Sequence, residues 1–517
     1  MLGDEKTDGY TLVRGFWQSR MGGAGFHKKW RRWLHDGVVE NPSFGSLPVY
    51  TRPQGIGALA AKAPGALPDV RNLEVVFVED PNIHDGRFAN NSWLQEAPDP
   101  MTKITWDNTF SVNLATAEAL RLENEDRADL SVGGKQVAGV VWITPGIADG
   151  TVLVTLGYGR SFDNFLPYHD EGKVGFDVGV IRHSDSPDLL TGGKLAKASG
   201  KYPLACVQRY GSQEPGFDFE ARPLVRENTV EGFKKNPSFA KPGIIEHGKP
   251  FPQGTLVAHP EPKSTYPDWD YSQGHQWGMV IDLNTCTGCN ACLVACVSEN
   301  NIMSVGKDQV RRGRELHWIR MDRYFVGNDD EARVVHQPMT CQQCETAPCE
   351  NVCPVAATAH SPEGLNDMAY NRCIGTRYCA NNCPFKVRRF NFYNYSKGQD
   401  ELIHMQRNPN VTVRFRGVME KCTYCTQRIN DGKRQARMAR QNGREDDARK
   451  LVDAIMPACQ QTCPTDAITF GDINDKGSKV AKLKALSRDY QLLSELNLHP
   501  RTSYLAKVRN PNPKLVG

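Results

Sequence analysis

The sequence predicts an α+β protein with a strand-rich domain in front and a cysteine-rich domain behind. Short apolar runs rich in β-branched residues, LEVVFVED, TKITW, VAGVVWIT and TVLVTLGYG, fall between residues 73 and 159 and are bounded by turn residues. Fifteen of the sixteen cysteines lie after residue 285, and only Cys206 precedes them. Between the two regions, nine prolines from Pro215 to Pro267 mark a stretch without sustained periodicity. The expected organisation is an N-terminal docking segment (1–70), a strand-rich domain (71–205), a Pro-rich extended linker (206–275), a cysteine domain (276–475) and a C-terminal extension (476–517).

The first segment holds an aromatic, basic and amphipathic stretch from Trp17 to Leu34. No apolar run follows the charges of MLGDEKTDGYTLVRGFW, so a signal peptide is not expected. Arg31-Arg32 is followed by WLHDGVVENP and does not read as a twin-arginine signal, so export would require a partner. In the strand-rich domain, NLATAEALRL reads as a helix with Asn113 as its cap. The Pro-rich linker reads as an arm lying on another surface. With 39% hydrophobic and 24% charged residues and a net charge of +4, nothing global points to nucleic acid or an anionic membrane surface. The mean hydropathy is −0.52 and no run approaches the roughly 18 apolar residues of a membrane span.

The cysteines come in four groups. Cys286, Cys289, Cys292 and Cys296 are spaced C-x2-C-x2-C-x3-C; Cys341, Cys344, Cys349 and Cys353 precede Pro354. Cys373, Cys379 and Cys383 precede Pro384, and Cys422 and Cys425 are completed by Cys459 and Cys463 before Pro464. Three thiolates on one tight loop suit three corners of an iron–sulfur cubane, while the fourth cysteine is directed at a neighbouring cluster. Pairing the second group with the third, and the first with the fourth, gives four ligand sets. Three are expected to hold [4Fe-4S] clusters: Cys286, Cys289, Cys292 and Cys463; Cys296, Cys422, Cys425 and Cys459; Cys341, Cys344, Cys349 and Cys383.

The fourth set, Cys353, Cys373 and Cys379, lacks a corner, because Thr376 stands three residues after Cys373 in CIGTRYCANNCP. A threonine hydroxyl keeps its proton near neutral pH and is a poor iron ligand beside thiolate, so a [3Fe-4S] cluster is expected there. Zinc is the competing reading of isolated CxxC pairs, and disulfides suit such tight clusters poorly. Cys206 reads as a buried small hydrophobe. Lys386, Arg388 and Arg389 follow the third group and suit either raising a cluster potential or surface solvation. The basic run from Arg428 to Lys450 reads as a solvated helical face, with docking to an acidic partner as the alternative. His360, downstream of Cys353, is a candidate for a quinone site.

TCTGCNACLVACVSENNI, CQQCETAPCENVCP, CIGTRYCANNCP and KCTYCTQRI resemble the four-cluster ferredoxin-type subunits of molybdenum oxidoreductases, whose cysteine pairing agrees with the sets above. Nitrate reductase's subunit likewise holds a [3Fe-4S] cluster where a cysteine is lost at the position of Thr376. ANNSWLQEAPDPMTKITWDN, NLATAEALRL and VVWITPGIADGTVLVTLGYGR look like the C-terminal dinucleotide-binding barrel of a molybdopterin catalytic subunit. A barrel ahead of a four-cluster domain, with HPRTSYLAKVRNPNP at the end, resembles the second portion of the large subunit of bacterial alternative complex III.

That resemblance implies one half of a split subunit, relaying electrons from quinol toward cytochrome c or an oxidase. It implies a molybdopterin-like partner chain, an integral membrane quinol-binding subunit and c-type cytochrome subunits. The chain would be peripheral to the membrane on its periplasmic or outer face, with no molybdenum cofactor of its own. The other readings are the iron–sulfur subunit of a molybdenum or tungsten reductase or dehydrogenase, and a scaffold in which only the [3Fe-4S] centre is redox-active. In each case the chain is an electron-transfer subunit whose own catalytic residues are unassigned. Iron and acid-labile sulfide assays on the isolated complex should find about fifteen irons for this chain, and zinc in their place would overturn the cluster reading.

Overall fold

In the computed structural model, α1 (Gly9–Met21) and α2 (Phe26–Asp36) occupy the aromatic and basic stretch. The periodicity of α2 brings Phe26, Trp30 and Trp33 onto one face, which is buried against Trp17, Met21 and Val39. The structure describes residues 9–39, 48, 50, 68–161, 173–212, 224–241, 245–246, 249–250, 269–327, 332–399 and 401–512. The chain divides into a unit of residues 1–66 and a unit of residues 67–517.

The second unit opens with six strands: β1 (Leu73–Val78), β2 (Phe110–Val112), β3 (Asp126–Val132), β4 (Lys135–Ile143), β5 (Thr151–Thr155) and β6 (Leu189–Lys201). They close into a barrel in the order β1-β5-β2-β4-β3-β6. β1 runs parallel to β5, and β2 parallel to β4; the other neighbours are antiparallel. Strict alternation in β1 sends Leu73, Val75 and Phe77 inward. There they meet Phe110, Leu130, Val141, Val152 and Val154. Asn113 caps the helix Leu114–Ala119, its side chain accepting from the Thr116 N–H at 3.0 Å. The strand expected over TKITW shrinks to Ile104–Thr105. Lys103 and Trp106 on either side hold φ at +62° and +67°, which ends extended backbone at both places.

In the cysteine domain β7 (Trp277–Asp282) lies inside a four-stranded sheet with β10 (Ile468–Asp472), β11 (Asp489–Tyr490) and β12 (Thr502–Leu505), in the order β10-β7-β12-β11. β8 (Arg320–Val326) and β9 (Arg333–Met339) form a separate antiparallel hairpin. Residues 476–517, expected as an extension, therefore supply two of the four sheet strands. Arg501 fixes that arrangement from within, its Nη2 donating to Gln276 Oε1 at 2.8 Å and lying 3.0 Å from Glu345 Oε1.

The Pro-rich linker departs in part from an extended arm. Glu227–Thr229 pairs in parallel with Lys507–Arg509, and a helix follows over Val230–Lys235. Val225, Phe239 and Ala240 are buried in the core of the cysteine domain, and burial of these apolar side chains draws the segment in. Residues 213–223 and 251–268 of the arm lie outside the described residues.

The barrel, the start of the linker and the cysteine domain share buried polar contacts. Lys307 Nζ lies 3.0 Å from Asp107 Oδ2, and Gln208 donates to the Arg323 carbonyl at 2.6 Å. Glu96 accepts from the Val305 and Gly306 N–H groups at 2.9 and 2.8 Å. Burial pushes its carboxyl up to about 7 despite those two donors. A carboxyl raised in the folded state adds stability that is complete below its unfolded value. That contribution is lost as pH rises through the folded value. Thermal melts should thus show a decline between about pH 5 and pH 7.5 that Glu96→Gln flattens; an equal slope in the variant would remove Glu96 as its source.

Candidate iron–sulfur centres

Fifteen thiols from distant parts of the sequence gather into four groups in space. The Cys292 thiol is pushed up by burial and then by Cys286, Cys289 and Cys463 beside it. Burial, then Cys422, Cys425 and Cys459, do the same to Cys296. Cys344 is raised by burial and by Cys341, Cys383 and Cys349. Cys379, raised chiefly by burial, feels Cys373 and Cys353. The structure thus brings together the members of each set expected from the sequence. Cavities are lined by Cys296, Cys422, Cys425 and Cys459, by Cys341, Cys344, Cys349 and Cys383, and by Cys353, Cys373, Cys379 and Thr376.

The sets also follow one another. Cys459 of the second set feels Cys292 of the first, and Cys422 of the second feels Cys341 of the third. Arg388 lies between the third and fourth, acting on Cys349, Cys341, Cys383 and Cys379. All eight thiols of the two middle sets are buried. Cys289 of the first set is exposed, and Cys353 and Cys373 of the fourth are half-buried.

The loops share a backbone device that residue types alone conceal. The second residue after the leading cysteine of each group, Gly288, Gln343, Gly375 and Tyr424, has φ between +49° and +76°. The third residue after Cys353, Cys383 and Cys463, namely Ala356, Lys386 and Asp466, is also left-handed, at +48° to +53°. Left-handed residues among right-handed ones turn consecutive N–H groups toward one concavity, a fit for anionic sulfur. The Ala357, Ala467 and Tyr424 N–H groups donate to Cys353, Cys463 and Cys422 sulfurs at 3.2, 3.3 and 3.4 Å. Gly288 is further restricted because a Cβ there would stand 2.4 Å from the His336 ring, and one at Gly375 would stand 2.7 Å from the Gly417 carbonyl.

Orphaned polar atoms also fit a bound group. Arg388 Nε and Nη1 are buried without a hydrogen-bond partner, and the residue lines the cavity of the third set. Buried thiols pushed toward protonation become ligands only beside metal cations.

The remaining candidates separate. Lys386 donates to the Asn381 carbonyl at the surface, and Arg389 is held by Glu315 at 2.7 Å; only Arg388 faces the thiols. His360 Nδ1 lies 2.5 Å from Glu350 Oε1. Cys206 is half-buried in a two-stranded ribbon, its thiol donating to the Thr102 carbonyl at 3.5 Å. The basic run forms α3 (Thr426–Gln441) and α4 (Glu445–Asp453), with Arg428 anchored to Glu299 at 2.7 Å and Lys433 to Glu363. Asn300 is neither a thiol nor a charge and belongs to no cysteine motif. Its Nδ2 lies 3.5 Å from Cys296 Sγ and 3.8 Å from Cys425 Sγ. It stands one helical turn after Cys296, the only trace it leaves in the sequence.

Comparison with known proteins agrees with this geometry. The family model of the 4Fe-4S dicluster domain matches residues 285–357. The iron–sulfur cluster-binding subunit of menaquinone reductase from Nitratidesulfovibrio vulgaris is 39% identical over 238 residues, which is 45% of this chain and 89% of the relative. This chain belongs to the iron–sulfur cluster-binding subunits of the molybdopterin oxidoreductase family. Other members include iron–sulfur subunit 1 of an Hdr-like menaquinol oxidoreductase from Archaeoglobus fulgidus, 30% identical over 44% of this chain and 82% of the relative. The iron–sulfur subunit of arsenate respiratory reductase from a Shewanella species is 29% identical over 44% of this chain and 95% of the relative. These matches span less than half of the chain, whereas the strand-rich domain and cysteine domain together fill most of it.

Hydrogen bonds to ligand sulfurs favour the more reduced, more negative cluster. Asn300→Leu keeps the branched shape and removes the donor, so one of the midpoint potentials should fall by about 1 kcal/mol, roughly 40 mV for one electron. A redox titration with every potential unmoved and full iron content would assign Asn300 a packing role only.

Proposed function

We propose that this chain is the electron-relay subunit of a quinone-linked oxidoreductase complex of the molybdopterin type. The observation that supports it most is the succession of four thiol sets, buried in the middle and nearer the surface at both ends. In this reading Cys286, Cys289, Cys292 and Cys463, then Cys296, Cys422, Cys425 and Cys459, then Cys341, Cys344, Cys349 and Cys383 hold [4Fe-4S] clusters. Cys353, Cys373 and Cys379 hold a [3Fe-4S] cluster, with Thr376 at the corner that lacks a thiolate. Bound there, such clusters supply one-electron donors and acceptors whose potentials span a wide range.

The residues around them do the rest. The left-handed loops aim N–H groups at sulfur, the apolar cores around Trp277, Trp318 and Tyr424 exclude water, and Arg388 and Lys421 place buried cations nearby. Burial in a low dielectric strengthens each of these terms. Relatives whose names carry menaquinone and menaquinol support a quinone of that class as the exchange partner, bound in a separate membrane subunit. A molybdopterin-bearing chain is the expected partner for the other end.

A second reading rests on the closed barrel ahead of the cysteine domain in one chain. It likens the barrel to the last domain of a molybdopterin subunit and the whole to half of the large subunit of alternative complex III. That reading has residues 1–70 docking on the partner chain, c-type cytochromes as acceptors and a periplasmic position. Molybdenum in the purified complex would favour the first reading; co-purifying c-type cytochromes without molybdenum would favour the second.

Anaerobic reduction by a menaquinol analogue, followed by electron paramagnetic resonance, tests the relay itself. The oxidised complex should show the near-isotropic signal of a [3Fe-4S] centre, and quinol should abolish it. Thr376→Cys restores a thiolate, so the oxidised signal should vanish and quinol reduction of that site should slow by at least tenfold, because the added negative charge disfavours an extra electron. A variant that keeps both the signal and the rate would remove Thr376 from the open corner.

A further inference from the structure

Arg388 is shared by two sites. Its guanidinium lines the cavity of Cys341, Cys344, Cys349 and Cys383. Its Nη2 donates to Thr358 Oγ1 at 2.8 Å and approaches Met368 Sδ at 3.3 Å, and both residues line the cavity of Cys353, Cys373 and Cys379. The residue is 6% exposed, and Nε and Nη1 have no hydrogen-bond partner. Among the described residues no carboxylate forms an ion pair with it, whereas Arg389 next to it has Glu315 and Arg414 has Glu420. A buried guanidinium without a carboxylate partner is costly, so its compensation must come from the thiolate side of the two cavities.

Local structure explains how it gets there. Lys386, at φ +53°, turns the chain after Cys383-Pro384, and Val387 is buried beside it. The turn sends Arg388 inward and leaves Lys386 at the surface and Arg389 against Glu315. Arginine suits the position because its charge does not titrate and its planar fork can donate in two directions at once.

We propose that Arg388 is a charge-compensating positioning residue shared by the third and fourth centres, holding the potentials of both above those the thiolates alone would set. The inference rests on the reading that these seven thiols bind clusters. A fixed cation between two sites favours the form of each that carries one more electron, and its effect decays with distance. The first and second thiol sets lie beyond the third and should feel it little. Because a fixed charge adds its potential at each site independently, removing it should lower both potentials.

The experiment is a redox titration of the assembled complex, monitored by electron paramagnetic resonance, for wild type, Arg388→Gln and Arg388→Lys, with iron content measured on each. Arg388→Gln should lower two of the midpoint potentials together, each by at least a tenfold change in the reduction equilibrium, 59 mV for one electron, and leave the other two in place. Arg388→Lys keeps the charge and should hold both within about threefold of wild type. No movement, movement of a single potential, or equal movement of all of them at full iron content would overturn the proposal. If the glutamine variant loses iron, the lysine variant decides alone: both potentials retained supports a charge role, and both lowered tenfold refutes it. Wild-type protein without about fifteen irons would instead refute the cluster reading on which the inference rests.

Discussion

Mutual repulsion among thiolates in a low-dielectric interior is the constraint on which the rest of this structure depends. Each of the two middle sets brings four sulfurs to one buried place, and burial favours the neutral thiol at Cys296, Cys422, Cys425, Cys459, Cys344, Cys349 and Cys383. A set of this kind persists as ligands only where positive charge and N–H dipoles are supplied in equal measure. The left-handed residues, the Asn300 amide, and the buried cations Arg388 and Lys421 all answer that need. The four-stranded sheet and the Arg501 network then hold the loops at fixed separations.

The same constraint explains why the two ends differ from the middle. At the first set Cys289 is exposed, and around the fourth Ile374 is 66% and Tyr378 55% exposed. Surface exposure there shortens the distance to any partner, at the cost of admitting water. The middle sets, closed in by Trp318, Tyr424 and Phe385, keep a dry environment in which small charge changes have large effects.

Much of this was legible in the sequence because cysteine spacing maps onto loop geometry with few alternatives. The expected membership of each thiol group came from spacing, from the rule that the last cysteine of a motif turns to its neighbour, and from pairing the second and third motifs because they are close in sequence. The barrel strands with apolar alternation, such as Leu73–Val78, could be read for the same reason. Polar strands could not: Leu189–Lys201 carries lysines and glycines, and only its barrel neighbours make it a strand. Asn300 and the choice of Arg388 over Lys386 and Arg389 were also hidden. Both depend on which way a turn points a side chain, and left-handed φ at Lys386 or Gln343 has no signature in residue type. Residues 224–241 looked like linker because their few apolar side chains are spread thinly. They are ordered by a distant strand, Lys507–Arg509, that local reading does not bring near.

The β7–β12 pairing sets an order on how the molecule is made. Trp277–Asp282 leads directly into the first cysteine loop, yet its parallel neighbour, Thr502–Leu505, emerges from the ribosome more than two hundred residues later. The first and second thiol sets likewise wait for Cys459 and Cys463, whereas the third and fourth are complete once Cys383 has appeared. During synthesis the chain therefore carries an early, self-contained pair of thiol pockets and a late pair that stays open until the C-terminal strand zips into place. A cell that loads metal into this protein meets two intermediates of different completeness, and the half-finished one exposes the thiols from Cys286 to Cys296 to oxygen.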